Sequence, residues 1–341
     1  MDGTERDPEV GAGLHRDSHG RLHAEHVRDV CVVGSINVDL VLELEALPVA
    51  GTTTHTAGGV DLARGLGGKG ANQAVACARL GRRTAMVGLV GEDDEGERLL
   101  AGLRAEALDV SGVGRVPGPS GVAVVLVHDG ESTIVVSPGA NGRLGAEEVG
   151  AATATVAGAR VVLLQCEVAD EALLAAARLC TGLLVLNPAP ARPLPDELLR
   201  RADLLVPNTA ELAVLAGRDA ASGAGAGVEE LVGLARTVRP TGTTIVTRGA
   251  AGALVVTPGG AVEVEAVAPP GGVVDATAAG DSFVAGLVDG LLAGSGLVEA
   301  AGRAARVAAW TVGHAGAAAS LPTREDLLDL RPAGSRGEDR A

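Results

Sequence analysis

The chain has 341 residues, enough for one large domain or two ordinary ones at about 100–200 residues each. A formal net charge of −15 argues against a protein that grips nucleic acid or an anionic membrane, because both need clustered Lys and Arg. Hydrophobic residues make up 47%, yet there is one Phe, one Trp and no Tyr, so the core must be Ala, Val and Leu, and a nucleotide base would lie between aliphatic side chains.

No apolar run approaches the roughly 18 residues of a spanning helix, and residues 1–29 are polar without a signal-peptide core. Cys31, Cys77, Cys166 and Cys180 lie far apart and form no Cys-x-x-Cys pair. They read as reduced, buried thiols of a cytoplasmic protein. Residues 1–28 read as a disordered tail that holds His15, His19, His23 and His26, four of the seven histidines. Their spacing would suit a metal on one helical face, but Gly11, Gly13 and Gly20 weaken such a helix.

Along the chain, residues 30–34 predict a buried strand, and 40–65 alternate polar with apolar residues around turn signals, as exposed antiparallel strands do. A helix is expected over 71–80, a strand over 85–91 and a helix over 95–107. Residues 122–127 and 133–136 read as a hairpin around Asp129-Gly130. From 146 the pattern alternates: helix 146–157, strand 161–165, helix 170–180, strand 183–187, helix 196–202, strand 204–207, helix 209–215, helix 228–238 and strand 243–247. Such alternation implies a doubly wound, mostly parallel sheet flanked by helices, with ligands beyond the carboxyl ends of its strands. The tail after 332 is short and polar.

Two segments carry chemistry. Asp275-Ala276-Thr277-Ala278-Ala279-Gly280-Asp281 runs into an expected helix starting near Gly280. Ala278, Ala279 and Gly280 leave the main chain open to an anion at a helix start, and Asp281 beside it suits a base that takes a proton from an attacking hydroxyl. Gly67-Gly68-Lys69-Gly70-Ala71-Asn72 holds the only lysine of the chain, with bare amides and an Asn that can both donate and accept, as a polyol requires. Each alone could be a Gly-rich connector; their joint occurrence in this order is harder to dismiss. A dinucleotide-dependent oxidoreductase would need Gly-x-Gly-x-x-Gly after the first strand, and Gly34-Ser35-Ile36-Asn37 does not supply it.

From about Val30 to Leu330 the chain resembles the ribokinase-like (phosphofructokinase-B type) family of carbohydrate kinases. The resemblance is carried by Gly34 through Asp39, Gly67 through Gln73, Asn187-Pro188-Ala189-Pro190-Ala191, Asn208-Thr209-Ala210-Glu211 and Asp275 through Phe283. It implies one kinase domain over 29–332, between loose tails 1–28 and 333–341. A small antiparallel lid would be formed by about 40–66 and 116–136, and it often makes a homodimer interface. It also implies ATP-dependent phosphorylation of D-ribose at O5, with Asp281 as general base and the main chain of Ala278 to Gly280 as anion hole. The sugar would be held by Asn37, Val38, Asp39, Gly68, Lys69, Gly70, Ala71, Asn72 and Glu167.

The same resemblance places nucleotide at Asn208, Thr247, Arg248, Gly249, Ala250, Ala251 and Gly252, with Gly280, Asp281 and Ala305. Mg²⁺ would sit near Asn208 and Glu211, which by themselves read as a helix cap with a first-turn Glu. A monovalent cation, usually K⁺, would sit near Asp275, Thr277, Thr311, His314, Gly316 and Ser320. Ala276 and Ala305 depart from commoner Thr and longer polar residues, and Arg248 from small or apolar ones. Another sugar or a nucleoside as acceptor, or a non-catalytic sugar-binding regulator, stays open.

Overall fold

The computed structural model describes residues 14–16, 22–24, 27–59, 62–128 and 131–328. The two expected tails therefore lie outside the described residues, apart from a short antiparallel pairing of β1 (Leu14–Arg16) with β2 (Leu22–Ala24). β3 (Arg28–Val33) leads through 34–36 into β4 (Asn37–Glu43). β5 (Ala63–Gly67), α1 (Lys69–Arg79), β6 (Thr84–Gly91), α2 (Asp94–Ala105), β7 (Asp109–Val116) and the hairpin β8 (Gly121–His128) and β9 (Glu131–Ser137) follow. Then come α3 (Ala146–Ala151), α4 (Thr153–Ala157), β10 (Ala159–Gln165), α5 (Asp170–Leu179), β11 (Leu183–Asn187), α6 (Asp196–Arg201), β12 (Leu204–Leu205) and α7 (Thr209–Leu215). The chain continues with α8 (Val228–Val238), β13 (Thr243–Thr247), β14 (Ala253–Thr257), β15 (Gly260–Val264), α9 (Ala279–Leu292) and α10 (Leu297–Val312).

Nine strands form the large sheet in the order β15-β14-β13-β12-β11-β10-β3-β6-β7. It is parallel except at β13–β14 and β14–β15. Val30 and Val32 of β3 pack on one face with α1, α9 and α10, while Cys31 and Val33 pack on the other with α3 to α5. The strand is buried on both faces, as a doubly wound sheet requires. From β3 the chain moves outward to β6 and β7, then returns to β10 on the other side. The crevice at that reversal lies over the carboxyl ends of β3 and β10, where a ligand site is expected.

The lid is a four-stranded sheet in the order β5-β4-β8-β9. It is not wholly antiparallel: β4 pairs with β8 in parallel, because the long excursion through α1, β6, α2 and β7 brings the chain back in the same direction. Residue 116, expected at the edge of the lid, ends β7 in the large sheet, and the lid resumes at Gly121. The helix expected over 146–157 is broken at Ala152 into α3 and α4. The strand expected over 204–207 narrows to Leu204–Leu205. All four cysteines are buried and unpaired, and no helix among the described residues is long and apolar enough to cross a membrane.

Candidate active site

α1 begins directly after Gly68, which takes a φ of 88° that a side chain would oppose. A Cβ on Gly67 would stand 2.1 Å from the Asp39 carboxylate, so the glycine makes room for that acid. Lys69, Asn72 and Gln73 fall at helical i, i+3 and i+4 and share one face of α1, towards α9. Asp281 stands in the first turn of α9, behind Ala278, which caps the helix in the left-handed region at φ 60°. Its carboxylate accepts from Asn72 Nδ2 at 3.2 Å and from Gln73 Nε2 at 3.0 Å.

β10 delivers Glu167 to the same point. Its Oε2 accepts from Ser35 Oγ at 2.5 Å and from the Lys69 amide at 3.0 Å. β4 delivers Asn37 and Asp39. Asn37 Oδ1 accepts from Asn141 Nδ2 at 2.7 Å, and Asn141 also bonds both main-chain groups of Ile36, at 2.9 and 3.1 Å. α7 adds a capping box: Asn208 and Glu211 exchange side-chain and main-chain hydrogen bonds of 2.8 to 2.9 Å.

The site is thus four buried or half-buried carboxylates around one lysine. Burial pushes Asp281 up, against the opposing pull of Lys69 and the hydrogen bonds from Gln73 and Asn72. Asp281 in turn raises Lys69, which stays protonated. Burial, with Glu167 and Asp281 close by, pushes Asp39 up to about 7. Burial also raises Glu211. Asp39 Oδ1 and Asn72 Oδ1 are buried with no hydrogen-bond partner among the described residues. Both residues line the cleft.

That cleft, of about 320 Å³, is lined by Asn37, Asp39, Gly68, Lys69, Asn72 and Glu167, by Asn208 and Glu211, and by Ala276 to Asp281. Ala123, Val125, Ile134 and Val136 of the lid close its far side. A second, more apolar cavity of about 380 Å³ is lined by Thr247, Gly249, Ala250, Gly252, Phe283 and Ala305, with Ala308, Ala309 and Val312 of α10. The two cavities share Thr247, Ala276, Ala279 and Gly280 and therefore meet at the start of α9. A Cβ on Gly280 would touch nothing within 4 Å, which leaves the main chain there open to a ligand.

Several expected site residues lie elsewhere. Val38 and Ala71 are core residues, and a Cβ on Gly70 would meet the Ser35 main chain at 2.6 Å, so these three support the cleft from behind. Ala251 is outside both cavities, and Arg248 turns to Glu263 at 2.7 Å and the Ala251 carbonyl at 2.8 Å. Asp275 accepts from the Thr277 and Gly316 amides at 2.8 and 2.9 Å, tying two of the loops expected around a monovalent cation. Burial would raise its carboxyl, but these hydrogen bonds hold it below the usual carboxylate range. Thr311 and Ser320 are buried, each with its hydroxyl on a local carbonyl. The exposed His314 ring stacks on Trp310, and its Nδ1 bonds the Trp310 carbonyl.

Ser35, Gln73 and Asn141 are neighbours of the site to which the sequence alone assigned no role, and Gln165 stood out only as a polar residue at a strand end. Asn141 lies in a Pro-Gly-Ala-Asn-Gly string that reads as a turn, and nothing local marks its partner 104 residues away.

A model of the pfkB family of carbohydrate kinases matches residues 27–324. Ribokinase of Schizosaccharomyces pombe is 34% identical over 311 residues, covering 86% of this chain and 95% of that protein. The crystal structure of ribokinase from Thermotoga maritima superposes with a TM-score of 0.77 at 30% identity, over 89% of this chain and 99% of that one. Arabidopsis thaliana ribokinase, solved complexed with ribose and ATP, gives 0.78 at 29% identity, over 89% and 98%. With a match that spans both the large sheet and the lid, the chain belongs to the pfkB family of carbohydrate kinases.

Proposed function

We propose that this kinase transfers the γ-phosphoryl group of ATP to O5 of D-ribose. The observation that carries the reading is the meeting of the two cavities at the first turn of α9, with Asp281 on the polar side. The similarity to the ribokinases named above supports ribose as the acceptor.

Ribose lies in the polar cleft, where Asp39, Asn72, Asn37 and Glu167 accept from and donate to its hydroxyls. ATP lies with its base in the apolar cavity and its γ-phosphate at the main-chain amides of Ala279 and Gly280. Asp281 takes the O5 proton as O5 attacks phosphorus in line, and ADP leaves. The amides at the helix start and the Lys69 ammonium stabilise charge on the transferring group. The lid residues Ile134 and Val136 exclude water from the cleft, which suppresses hydrolysis of ATP.

The residues present fit Mg²⁺ held through water. Both Glu211 oxygens already accept from Asn208, and among the described residues no three His, Cys, Asp or Glu groups cluster as a direct cage. Asn208 and Glu211 would hold the hydrated ion, which supplies charge neutralisation on the phosphates. Asp275 and the loops it ties fit a K⁺ bound by main-chain carbonyls, which supplies positive charge behind the anion hole. The lid edge strand β9, with Ile134 and Val135 exposed, suits a homodimer contact. The four unpaired thiols suit the cytoplasm.

The deciding experiment measures ADP release over pentoses, hexoses and nucleosides, each with Na⁺ or K⁺. Ribose-selective, K⁺-stimulated turnover is expected; release with nucleosides alone would overturn the acceptor. Asp281→Asn is expected to lose at least about 100-fold in kcat with ribose affinity nearly unchanged.

A further inference from the structure

We propose that Gln73 is a positioning residue, which holds the Asp281 carboxylate in a single orientation through a chain of amides anchored on the main chain. The inference rests on the reading of Asp281 as the proton acceptor.

The anchor is the Val206 carbonyl, which accepts from Asn187 Nδ2 at 2.8 Å. That bond leaves Asn187 Oδ1 facing the other way as an acceptor. Gln73 Nε2 fills it at 3.0 Å and gives its second hydrogen to Asp281 Oδ1, also at 3.0 Å. Gln73 Oε1 then accepts from Gln165 Nε2 at 2.6 Å. Each orientation follows from the one before, because an amide turned over would set acceptor against acceptor or donor against donor. Gln73 and Gln165 have no exposed surface, so bulk water does not compete for these bonds. Three elements of the large sheet and α1 therefore converge on one oxygen of a residue carried by α9.

The chemical consequence is specific. A donor on Oδ1 favours the ionised carboxylate, the form able to accept a proton, and leaves Oδ2 as the oxygen on the Asn72 side of the cleft. Other charges also face Asp281: Lys69 on α1, Glu167 beyond β10, Asp39 on β4 and Glu211 on α7. Only Lys69 among them favours the ionised form. Gln73, like Asn72, is a neutral donor that works in the same direction without adding charge to the cleft.

The test is steady-state turnover of ribose and ATP against pH for Gln73→Met, which keeps the side-chain length and removes the donor. We expect kcat at pH 7 to fall about tenfold or more, KM for ribose to stay within about twofold, and the acid limb of the kcat profile to move up by about one pH unit. The sign follows from the lost donor: without it the proton is harder to remove from Asp281. An unmoved acid limb overturns the proposal, whatever happens to kcat. Should Gln73→Met fail to fold, Asn187→Ala, which releases the anchor, must shift the limb in the same direction. Asp281→Asn, assayed in parallel, separates the two claims. If it retains turnover, the reading of Asp281 falls and the proposal with it; if it is inactive while the Gln73→Met limb is unmoved, the proposal alone falls.

Discussion

Asp39 combines burial with an oxygen that has no hydrogen-bond partner among the described residues. Its carboxyl, pushed up to about 7, is raised above its unfolded value. The sign is therefore the reverse of a salt-bridged acid: its favourable contribution to stability is full below the unfolded pKa and is lost as pH rises through about 7. With ribose placed as proposed, its hydroxyls would donate to the ionised form, so binding would release a proton. Ribose affinity should rise by up to about tenfold from pH 6 to pH 8, measured by calorimetry in buffers of different ionisation heat. Asp39→Asn should abolish that dependence, weaken ribose at pH 8 by about tenfold or more, and raise the melting temperature of the sugar-free protein. Lys69, Asn72 and Asp281 stood out in the sequence because each sits in a short string of small residues, and Asn37 and Asp39 because they are polar residues just beyond the first strand. Asn141 did not, since its bond to Asn37 joins positions about a hundred residues apart.

The first turn of α9 holds two small residues with opposite expected behaviour. Ala278 is strained at φ 60°, a conformation that costs an L-residue about 1–2 kcal/mol. Ala278→Gly relieves it at the expense of chain entropy, so a net gain of up to about 1 kcal/mol is expected in chemical denaturation. Gly280 has ordinary helical space around it, and Gly280→Ala should keep or slightly improve stability. The added methyl would stand where the proposed phosphate site lies, so affinity for ATP should fall about tenfold or more in the same variant. Loss of both stability and affinity would show that the helix start itself had been disturbed. The elements around this turn were unevenly legible. Strong βα alternation marked β10 to β13 and their helices. β7 carries two glycines without alternation, and β14, β15 and α10 have apolar runs whose partners are other elements; none of the four was expected.

At the scale of the whole molecule, Asp289 on α9 is fully buried and pairs with Arg82 at 2.6 Å, with Arg303 of α10 and, more loosely, with Arg324. One acid thus joins the turn after α1, the two C-terminal helices and the segment that follows them. Asp289→Asn removes the shared acceptor charge from three partly exposed arginines, and a loss of about 1–3 kcal/mol is expected by urea titration. Turnover well below the melting point should change little, because the chemistry lies two helical turns away. The fold class was legible from the order of elements, but this tie was not: arginines on a surface-poor chain give no signal of a shared partner.

β4 is at once the strand from which the lid hangs and the carrier of Asn37 and Asp39, whereas Glu167, Asn72 and Asp281 belong to the body. A sugar placed in the cleft as proposed would work as a clasp between the two. Amide exchange in 121–128 and 131–137 should slow when ribose is added and stay nearly as fast with ATP alone, so the phosphate donor meets a fastened enzyme only when there is something to phosphorylate.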